Sequence, residues 1–370
     1  MSAVTLSRWT EEQFAAGRDA WQGLLETSGA DALFMGWDWQ WRWWMHHREP
    51  LGADLVVFAA NDSNGALVGL LPFYAQRTRA RGFIPIRRLQ LLGGAWRDSQ
   101  PAFSEYLDFI VSPAHVSTVL DALAATLLGP EQWDELLLPH VLPDSLAARF
   151  AVERLGKKAT VRSVDPMTAH RLQLADGFQA YVRGLSSGTR RRLLNQRQKG
   201  VAEPALAGDP ETVDQALQTL RSFKQTRWQS GPHSQAFLAF HRDFAAAMAK
   251  LGALRLTCLE IGGRTASVLY DVRVGSTEYY LESGFDPALA RGITPGYLHL
   301  GYAIEKACAD GLQHFDLLGG AGRHRDYKRD LCPADTTLFC YQVIRNPLLR
   351  TLYFAHRLLE KFKTGRRRSH

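Results

Sequence analysis

The chain has 370 residues, of which 46% are hydrophobic and 22% charged, and this composition excludes a largely disordered protein. Its formal charge of +7 favours anionic partners such as phosphorylated small molecules, nucleic acid or a membrane surface. Its four cysteines lack CxxC spacing, its histidines form no metal-ligand pattern, and no apolar run approaches the ~20 residues of a membrane span. We therefore expect a cytoplasmic protein without a metal site.

The first half of the chain begins with a predicted helix over Thr10–Leu25. A helical pattern with five tryptophans within residues 37–44 is typical of a buried core or a domain seam, although aromatic rings also stack on sugars. From Ala53 the pattern changes to strands. The basic segment Arg77–Arg88, broken by glycine and proline, is predicted as a loop, and Glu105–Val111 as a short strand.

The second half repeats this order of elements. A basic helix is predicted over Ser186–Lys199, and further helices precede a strand hairpin that is joined by two glycines. A strand over Thr336–Ile344 and a helix over Pro347–Lys363 end the chain. The repeated order predicts an α/β fold of two tandem units, each a mixed central sheet flanked by helices. We place the domains at 1–165 and 166–370.

The stretch from Tyr279 to Lys328 is the most informative. A predicted strand ends near Glu282, a loop with two glycines over Arg291–Gly296 follows, and a predicted helix begins at Tyr297. Unpaired amides and the positive end of the dipole make a helix start an anion site. The corresponding loop of the first half, Val111–His115, has no glycine. The second half is therefore predicted to hold the anionic group, which we interpret as part of an acyl donor.

These residues resemble the GNAT acyltransferase superfamily. More narrowly, the chain resembles bacterial proteins of cellulose, capsule and holdfast polysaccharide biosynthesis, relatives of the Fem-type aminoacyl transferases with two GNAT-like domains. The motifs that carry this resemblance are Asp286-Pro287, Pro295-Gly296, Phe315-Asp316 and Tyr327-Lys328. The resemblance implies a degenerate N-terminal GNAT-like domain on the acceptor side and a C-terminal GNAT domain that holds the acyl donor.

The resemblance also implies a donor. Superfamily members grip the coenzyme A pyrophosphate with a glycine-rich loop, and Arg291, Thr294 and Gly296 fall on that spacing, followed by Tyr297. Thr294 replaces a glycine, and Pro295 removes an N–H donor. The implied activity is transfer of an acyl group, in the first place acetyl from acetyl-CoA or another acyl-CoA, to an amino sugar of an exopolysaccharide or its precursor.

Two alternatives stay open. One is a Fem-type transferase that uses aminoacyl-tRNA, since Tyr327-Lys328 resembles the Phe/Tyr-Lys element of that group. The other is a non-catalytic regulatory or scaffold protein that binds a nucleotide signal or the membrane. No DNA-binding motif supports a DNA partner.

Amide formation from a thioester needs a base, an oxyanion partner and an acid for the leaving thiolate. The candidates for the base are Glu282, His314 and Asp316; His314 alternates onto the face of Asp316 and would allow a relay. Tyr327 is the candidate acid for the thiolate. Lys328 is the candidate partner of the oxyanion or of a substrate phosphate.

Binding residues for the acceptor are harder to predict. Tyr106 and Asp108 are polar positions in the predicted strand that would border an acceptor cleft, and Lys224 and Arg227 are candidates for a phosphorylated sugar. The cluster Arg190–Arg197 could bind tRNA, a nucleotide second messenger or a lipid-linked phosphate, with peripheral membrane contact as a further possibility. The favoured interpretation of the same residues is a solvated helix face.

Overall fold

The computed structural model of the chain describes residues 4–98, 101–129, 133–195, 197, 201, 203–228, 234–289, 292–319, 326–332 and 335–355. Contacts divide the chain into two compact units. The first unit comprises Met1–Pro166 with Leu338–His370, and the second comprises Met167–Thr337. The end of the chain, placed by sequence in the domain 166–370, therefore belongs to the first unit. The reason is that its strand pairs with Glu135–Val141.

The first unit is built on a mixed sheet with the order β1-β2-β3-β4-β6-β14-β7, and β5 pairs with β3. Most neighbours are antiparallel, whereas β4 and β6 run parallel. Its strands are β1 (Thr5–Trp9), β2 (Ala53–Asn61), β3 (Leu67–Ala80), β4 (Ile84–Leu91), β5 (Ile110–Val111), β6 (Glu135–Val141), β7 (Thr160–Ala169) and β14 (Thr336–Ile344). Its helices are α1 (Glu11–Ala16), α2 (Arg18–Thr27), α3 (Trp37–Leu51), α4 (Val116–Leu128) and α5 (Leu146–Arg149), and residues 347–355 are also helical.

The basic segment Arg77–Arg88 is not the predicted loop but the tip of the β3–β4 hairpin. The strands pair as far as Ala80 and Ile84, and Arg81 and Gly82 both have positive φ at the turn. Pro85 is tolerated because β4 pairs with β6 only from Arg88 onward, so Pro85 lies where β4 has no second neighbour in the described chain.

The tryptophan-rich helix α3 is a core element of the first unit. Trp37, Trp39, Trp43 and Trp44 are buried, and their indole N–H groups find partners, such as the Ser104 hydroxyl at 2.8 Å from Trp39. Large aromatic side chains are compatible with burial when their polar group is satisfied in this way. The aromatic run therefore has a packing role.

The second unit contains a mixed sheet with the order β8-β13-β12-β11-β10-β9. Here β12 and β13 run parallel, and the other pairs are antiparallel. The strands are β8 (Arg171–Gln173), β9 (Ala205–Leu206), β10 (Leu254–Ile261), β11 (Arg264–Val274), β12 (Thr277–Phe285) and β13 (His314–Asp316). The helices are α6 (Gly177–Gly184), α7 (Ser187–Arg190), α8 (Pro210–Trp228), α9 (Gln235–Lys250), α10 (Pro295–Ala309) and α11 (Asp326–Leu331).

The core of the second unit forms where α10 packs on the sheet. Leu300 and Ile304 of α10 share one apolar cluster with Leu269, Tyr280 and Phe315 of the strands. The predicted class, an α/β fold with mixed sheets flanked by helices, is confirmed. Within the described residues, no helix combines the length and apolarity needed to cross a membrane.

Candidate active site

The open end of the strand pair β12–β13 provides the candidate site. The two parallel strands pair from Thr277 and His314 to Tyr279 and Asp316, where β13 ends. The rest of β12 continues to Phe285 without this neighbour in the described chain. Crevices beyond the carboxyl ends of parallel strands are where α/β proteins bind ligands.

Helix α10 begins beside this open end. A Cβ atom at Gly296 would lie 3.4 Å from the ring of Phe285, so the first turn of α10 lies against the end of β12. Amides of a first turn have no carbonyl partner within the helix, and Gly296 and Tyr297 lie in that turn. Thr294 is the N-cap, and Pro295 is the first helical residue. The helix start can therefore hold an anionic group such as a diphosphate.

A β-bulge in β12 separates its polar side chains onto two faces. Tyr270 of β11 faces Glu282, whereas the next residue, Asp271, faces Tyr280, so Leu281 is the extra residue. Tyr280 then packs with the α10 cluster, whereas Glu282 contacts Lys224 of α8.

On the α8 face, Glu282 and Lys224 form an ion pair whose side chains are 23% and 22% exposed. Burial lowers the pKa of Lys224 to about 8. The carboxylate of Glu282 acts in the opposite direction, because it stabilises the charged ammonium. Sequence analysis predicted the two residues for different roles, and the structure brings them together.

On the α10 face, hydroxyl groups gather beside the open strand edge. The hydroxyl of Tyr280 contacts Ser283 Oγ and lies 3.2 Å from the hydroxyl of Tyr327. The rings of Tyr327 and Tyr297 meet edge to face with centroids 6.3 Å apart. Tyr280 and Ser283 were not predicted, because only the bulge turns both of them to the side of Tyr327.

Lys328 is occupied by the backbone that follows β13. Its Nζ donates to the carbonyl oxygens of Leu317 at 2.6 Å and Leu318 at 3.2 Å, and also to that of Gly319. The same ammonium lies 5.6 Å from the ring centre of Tyr280. Lys328 thus fixes the chain after β13 and places a positive charge next to the hydroxyl cluster.

Comparison with known proteins identifies this unit. Residues 187–329 match the family model described as acetyltransferase (GNAT) domain. Over these residues the chain is similar to a GNAT acetyltransferase domain. The protein is an acyltransferase, and domains of this kind typically use acyl-CoA. No curated protein is detectably similar in sequence.

Solved structures similar to this chain share its fold at low sequence identity. FemX matches with a TM-score of 0.64 and 10% identity, over 94% of this chain and 99% of that one. L-PGS from Bacillus licheniformis matches with a TM-score of 0.51 and 12% identity, over 93% and 96%. A protein of unknown function from Bacteroides thetaiotaomicron matches with a TM-score of 0.55 and 10% identity, over 92% and 99%.

Asp316, one of the three candidate bases, is held by hydrogen bonds that stabilise the fold. Its side chain is fully buried, accepts from Arg171 Nε at 2.6 Å, and accepts from the amide of Leu318 at 2.7 Å. Leu318 has a positive φ, which this bond helps to hold. The geometry therefore explains Asp316 as a support for the turn after β13.

His314 lies at the start of β13, two residues before the strands part. Burial lowers its pKa, the charge of Arg171 lowers it further, and Asp316 raises it. The alternation of the strand predicted a relay between His314 and Asp316. In the structure Asp316 instead forms an ion pair with Arg171.

The predicted donor residues are described only in part. Arg291 lies outside the described residues, so its contact with a donor stays a prediction. The hydroxyl of Tyr297 donates to Asp330 at 3.4 Å, and the guanidinium of Arg192 lies 4.1 Å from the centre of its ring. Arg192 and Arg197 are also ion-paired, with Asp330 and Glu305, so this part of the basic cluster is partly neutralised.

The predicted acceptor residues of the first unit need correction. Only Ile110–Val111 of the predicted strand Glu105–Val111 is a strand. Tyr106 is buried with a positive φ. Asp108 accepts from the amides of Leu146 and Ala147, at 3.1 and 2.7 Å, and burial raises its pKa to about 6. Both residues support the fold, since a helix start needs such an acceptor.

The predicted acceptor residue Arg227 cannot be placed, because its side chain lies outside the described part of the chain. Among the described residues, no group of three or more His, Cys, Asp or Glu side chains is arranged to hold a metal ion.

A buried hydroxyl–imidazole chain was missed by sequence analysis. His299 of α10 lies between Ser267 Oγ, 3.1 Å from its Nδ1, and Thr257 Oγ1, 2.9 Å from its Nε2. Because Ser267 donates to the carbonyl of Gly284 at 3.2 Å, Nδ1 donates to Ser267 and Nε2 accepts from Thr257. This neutral imidazole ties α10 to β11 and β10, and through Ser267 to Gly284 of β12. A lone histidine in a helix gave no signal for it.

Proposed function

We propose that the protein is an N-acyltransferase that transfers an acyl group from a coenzyme A thioester to an amine. The observation that supports this most directly is the open edge of β12 beside the start of α10. A diphosphate can be held by the first-turn amides, and the thioester can then lie along the free strand edge. Pro295 contributes no amide, so Gly296 and Tyr297 supply those of this turn.

In this reaction the amine nitrogen attacks the thioester carbonyl carbon and the carbon–sulfur bond breaks. The amine must lose one proton, and the thiolate must gain one. Glu282 is the proposed proton acceptor, because its carboxylate is partly exposed on β12 and oriented by Lys224. Tyr327 is the proposed donor to the thiolate, since its hydroxyl belongs to the cluster with Tyr280.

The decisive test is Glu282→Gln, measured as thiol release from acetyl-CoA in the presence of glucosamine and as acetyl-CoA binding by calorimetry. We expect unchanged binding and a rate lower by about 10²- to 10⁴-fold, the usual contribution of a general base. Glu260→Gln, on the exposed surface of β10, is the matched control and should keep full activity. A wild-type protein that does not bind acetyl-CoA, or a fully active Glu282→Gln variant, would contradict the proposal.

The acceptor proposed from the family resemblance is an amino sugar of an exopolysaccharide or its precursor, and the proposed compartment is the cytoplasm. The alternative donor, aminoacyl-tRNA, also remains a proposal. Transfer of radiolabel from charged tRNA, without transfer from acyl-CoA, would decide for that donor. The scaffold alternative is not proposed further, because the chain carries an acyltransferase domain.

A further inference from the structure

A large polar cavity lies in the first unit, outside the GNAT match. Its volume is about 860 Å³, which is within the range of small-molecule sites. Every lining residue belongs to Met1–Pro166 or to Leu338–His370. The lining includes four arginines, Arg81, Arg88, Arg97 and Arg162, together with the aromatic residues Trp96 and Tyr353.

A buried network holds the cavity side chains in place. Glu135, fully buried, accepts from Arg88 Nε at 2.8 Å and from the hydroxyl of Tyr353 at 3.0 Å. The amide of Gln342, also fully buried, donates to Glu135, and its oxygen accepts from Arg162 Nε at 2.8 Å. Arg88, Tyr353 and Arg162 are therefore oriented before any ligand arrives, which lowers the cost of binding.

The positive charges of the cavity are only partly neutralised. Arg88 pairs with Glu135, and Arg97 pairs with Asp165. Within the described chain, neither Arg81 nor Arg162 forms an ion pair with a carboxylate. Their guanidinium carbons lie 5.6 and 4.8 Å from the centre of the same Tyr353 ring, so both charges lie beside this one side chain of the cavity lining.

An anion bound here would offset the burial of these charges. Burial lowers the pKa of Arg162, Tyr353 and Glu135 raise it, and the nearby charges of Arg81 and Arg97 lower it. Two guanidinium groups around one ring offer several N–H donors in the fork geometry that matches phosphate oxygens. The carboxylate of Asp165, 46% exposed at the rim, can accept hydrogen bonds from ligand hydroxyls.

We propose that this cavity binds a phosphorylated, hydroxyl-bearing small molecule, with its phosphate held by Arg81 and Arg162. The site is separate in sequence from the GNAT domain and does not depend on the acyl donor. It gives the first unit a ligand of its own, although the loop Val111–His115 of this unit contains no glycine.

Calorimetry with glucose 1-phosphate, and separately with orthophosphate, tests the proposal on the full chain without coenzyme A, because coenzyme A itself carries phosphate and hydroxyl groups and would compete for the cavity. Saturable binding of glucose 1-phosphate is expected at millimolar concentrations or below. Arg162→Gln and Arg81→Gln should each weaken it by about tenfold or more, the usual value of a hydrogen bond to a charged group. Arg81 is exposed, so its replacement should leave the fold intact, and circular dichroism checks this.

Arg149→Gln is the matched control, because it removes the same charge from an exposed side chain of the same unit, outside the cavity lining. Its binding should equal that of the wild type. Absence of binding, equal weakening by Arg149→Gln, or unchanged binding in both cavity variants would overturn the proposal. Binding by a protein that is inactive with acyl-CoA would support it while contradicting the proposed acyl transfer.

Discussion

Glu282 and Asp316 are carboxylates of neighbouring strands that sequence alone could not tell apart. Both lie in strands that contain aromatic residues, close to the predicted donor loop. In the structure Asp316 is fully buried against Arg171, whereas Glu282 is 23% exposed beside Lys224. A fully buried, paired carboxylate is a structural group, and only a carboxylate with access to solvent and substrate can exchange protons readily.

The Arg171–Asp316 pair leads to an asymmetric prediction. Arg171→Met should destabilise the second unit by roughly 3 kcal/mol, because it leaves a charged carboxylate buried without its cation. Asp316→Asn should cost only about 1 kcal/mol, since Arg171 is 36% exposed and water can solvate it. Urea denaturation followed by circular dichroism measures both values. Equal costs, or a larger cost for Asp316→Asn, would refute this account of the pair.

At the scale of elements, helix α10 is positioned by close backbone contact. A Cβ at Gly301 would collide with the carbonyl oxygen of Leu193. Leu193 lies in Arg191–Asn195, a π-helical segment that continues α7 where a regular helix over Ser186–Lys199 was predicted. Gly301 is therefore what allows this segment to approach α10, and with it the charges of Arg192 and Arg197.

Gly301→Ala should destabilise the protein by about 1–3 kcal/mol, the usual cost of overpacking, although alanine favours helices. Gly23→Ala is the matched control. Gly23 lies within α2, is exposed, and has open space where its Cβ would be. That substitution should stabilise by about 0.5–1 kcal/mol. Thermal denaturation compares the two, and a stabilising Gly301→Ala would show that the contact with Leu193 relaxes freely.

At the scale of the whole molecule, buried titratable groups of both signs link stability to pH. Burial lowers the pKa of His47 and His140 to about 4 and that of His299 to about 3. These histidines bind protons on unfolding, so each lowers stability as the pH falls below about 6.5. Asp108, with a pKa raised to about 6, acts in the opposite direction.

The variant His299→Gln isolates the contribution of one histidine to the pH dependence of stability. Because the unfolded chain protonates His299 near pH 6.5 and the folded chain only near pH 3, the stability of the wild type should fall relative to the variant on acidification. The difference should change by roughly 1.4 kcal/mol per pH unit between pH 6 and pH 4. Urea denaturation at pH 7, 6 and 5 measures it. Parallel stability curves would mean that His299 titrates normally in the folded protein.

Sequence analysis predicted the order of elements and the strand–loop–helix of the GNAT domain, because periodicity and turn residues are local signals. It placed the strand Thr336–Ile344 in the wrong unit, because sheet partners are chosen across the whole chain. It also missed the β3–β4 hairpin, since pairing overrode the local preference of Arg77–Arg88 for a loop.

The sequence by itself determined the fold class, the position of α10 and the set of candidate site residues. Tertiary structure alone decided which of them meet. A bulge at Leu281 turned Glu282 toward Lys224 and Tyr280 toward Tyr327. The strand β14 places Gln342 between Glu135 and Arg162, where it hydrogen-bonds to both. The physical reason is that burial, pairing and charge depend on neighbours distant in sequence, whereas helix and strand patterns depend on adjacent residues.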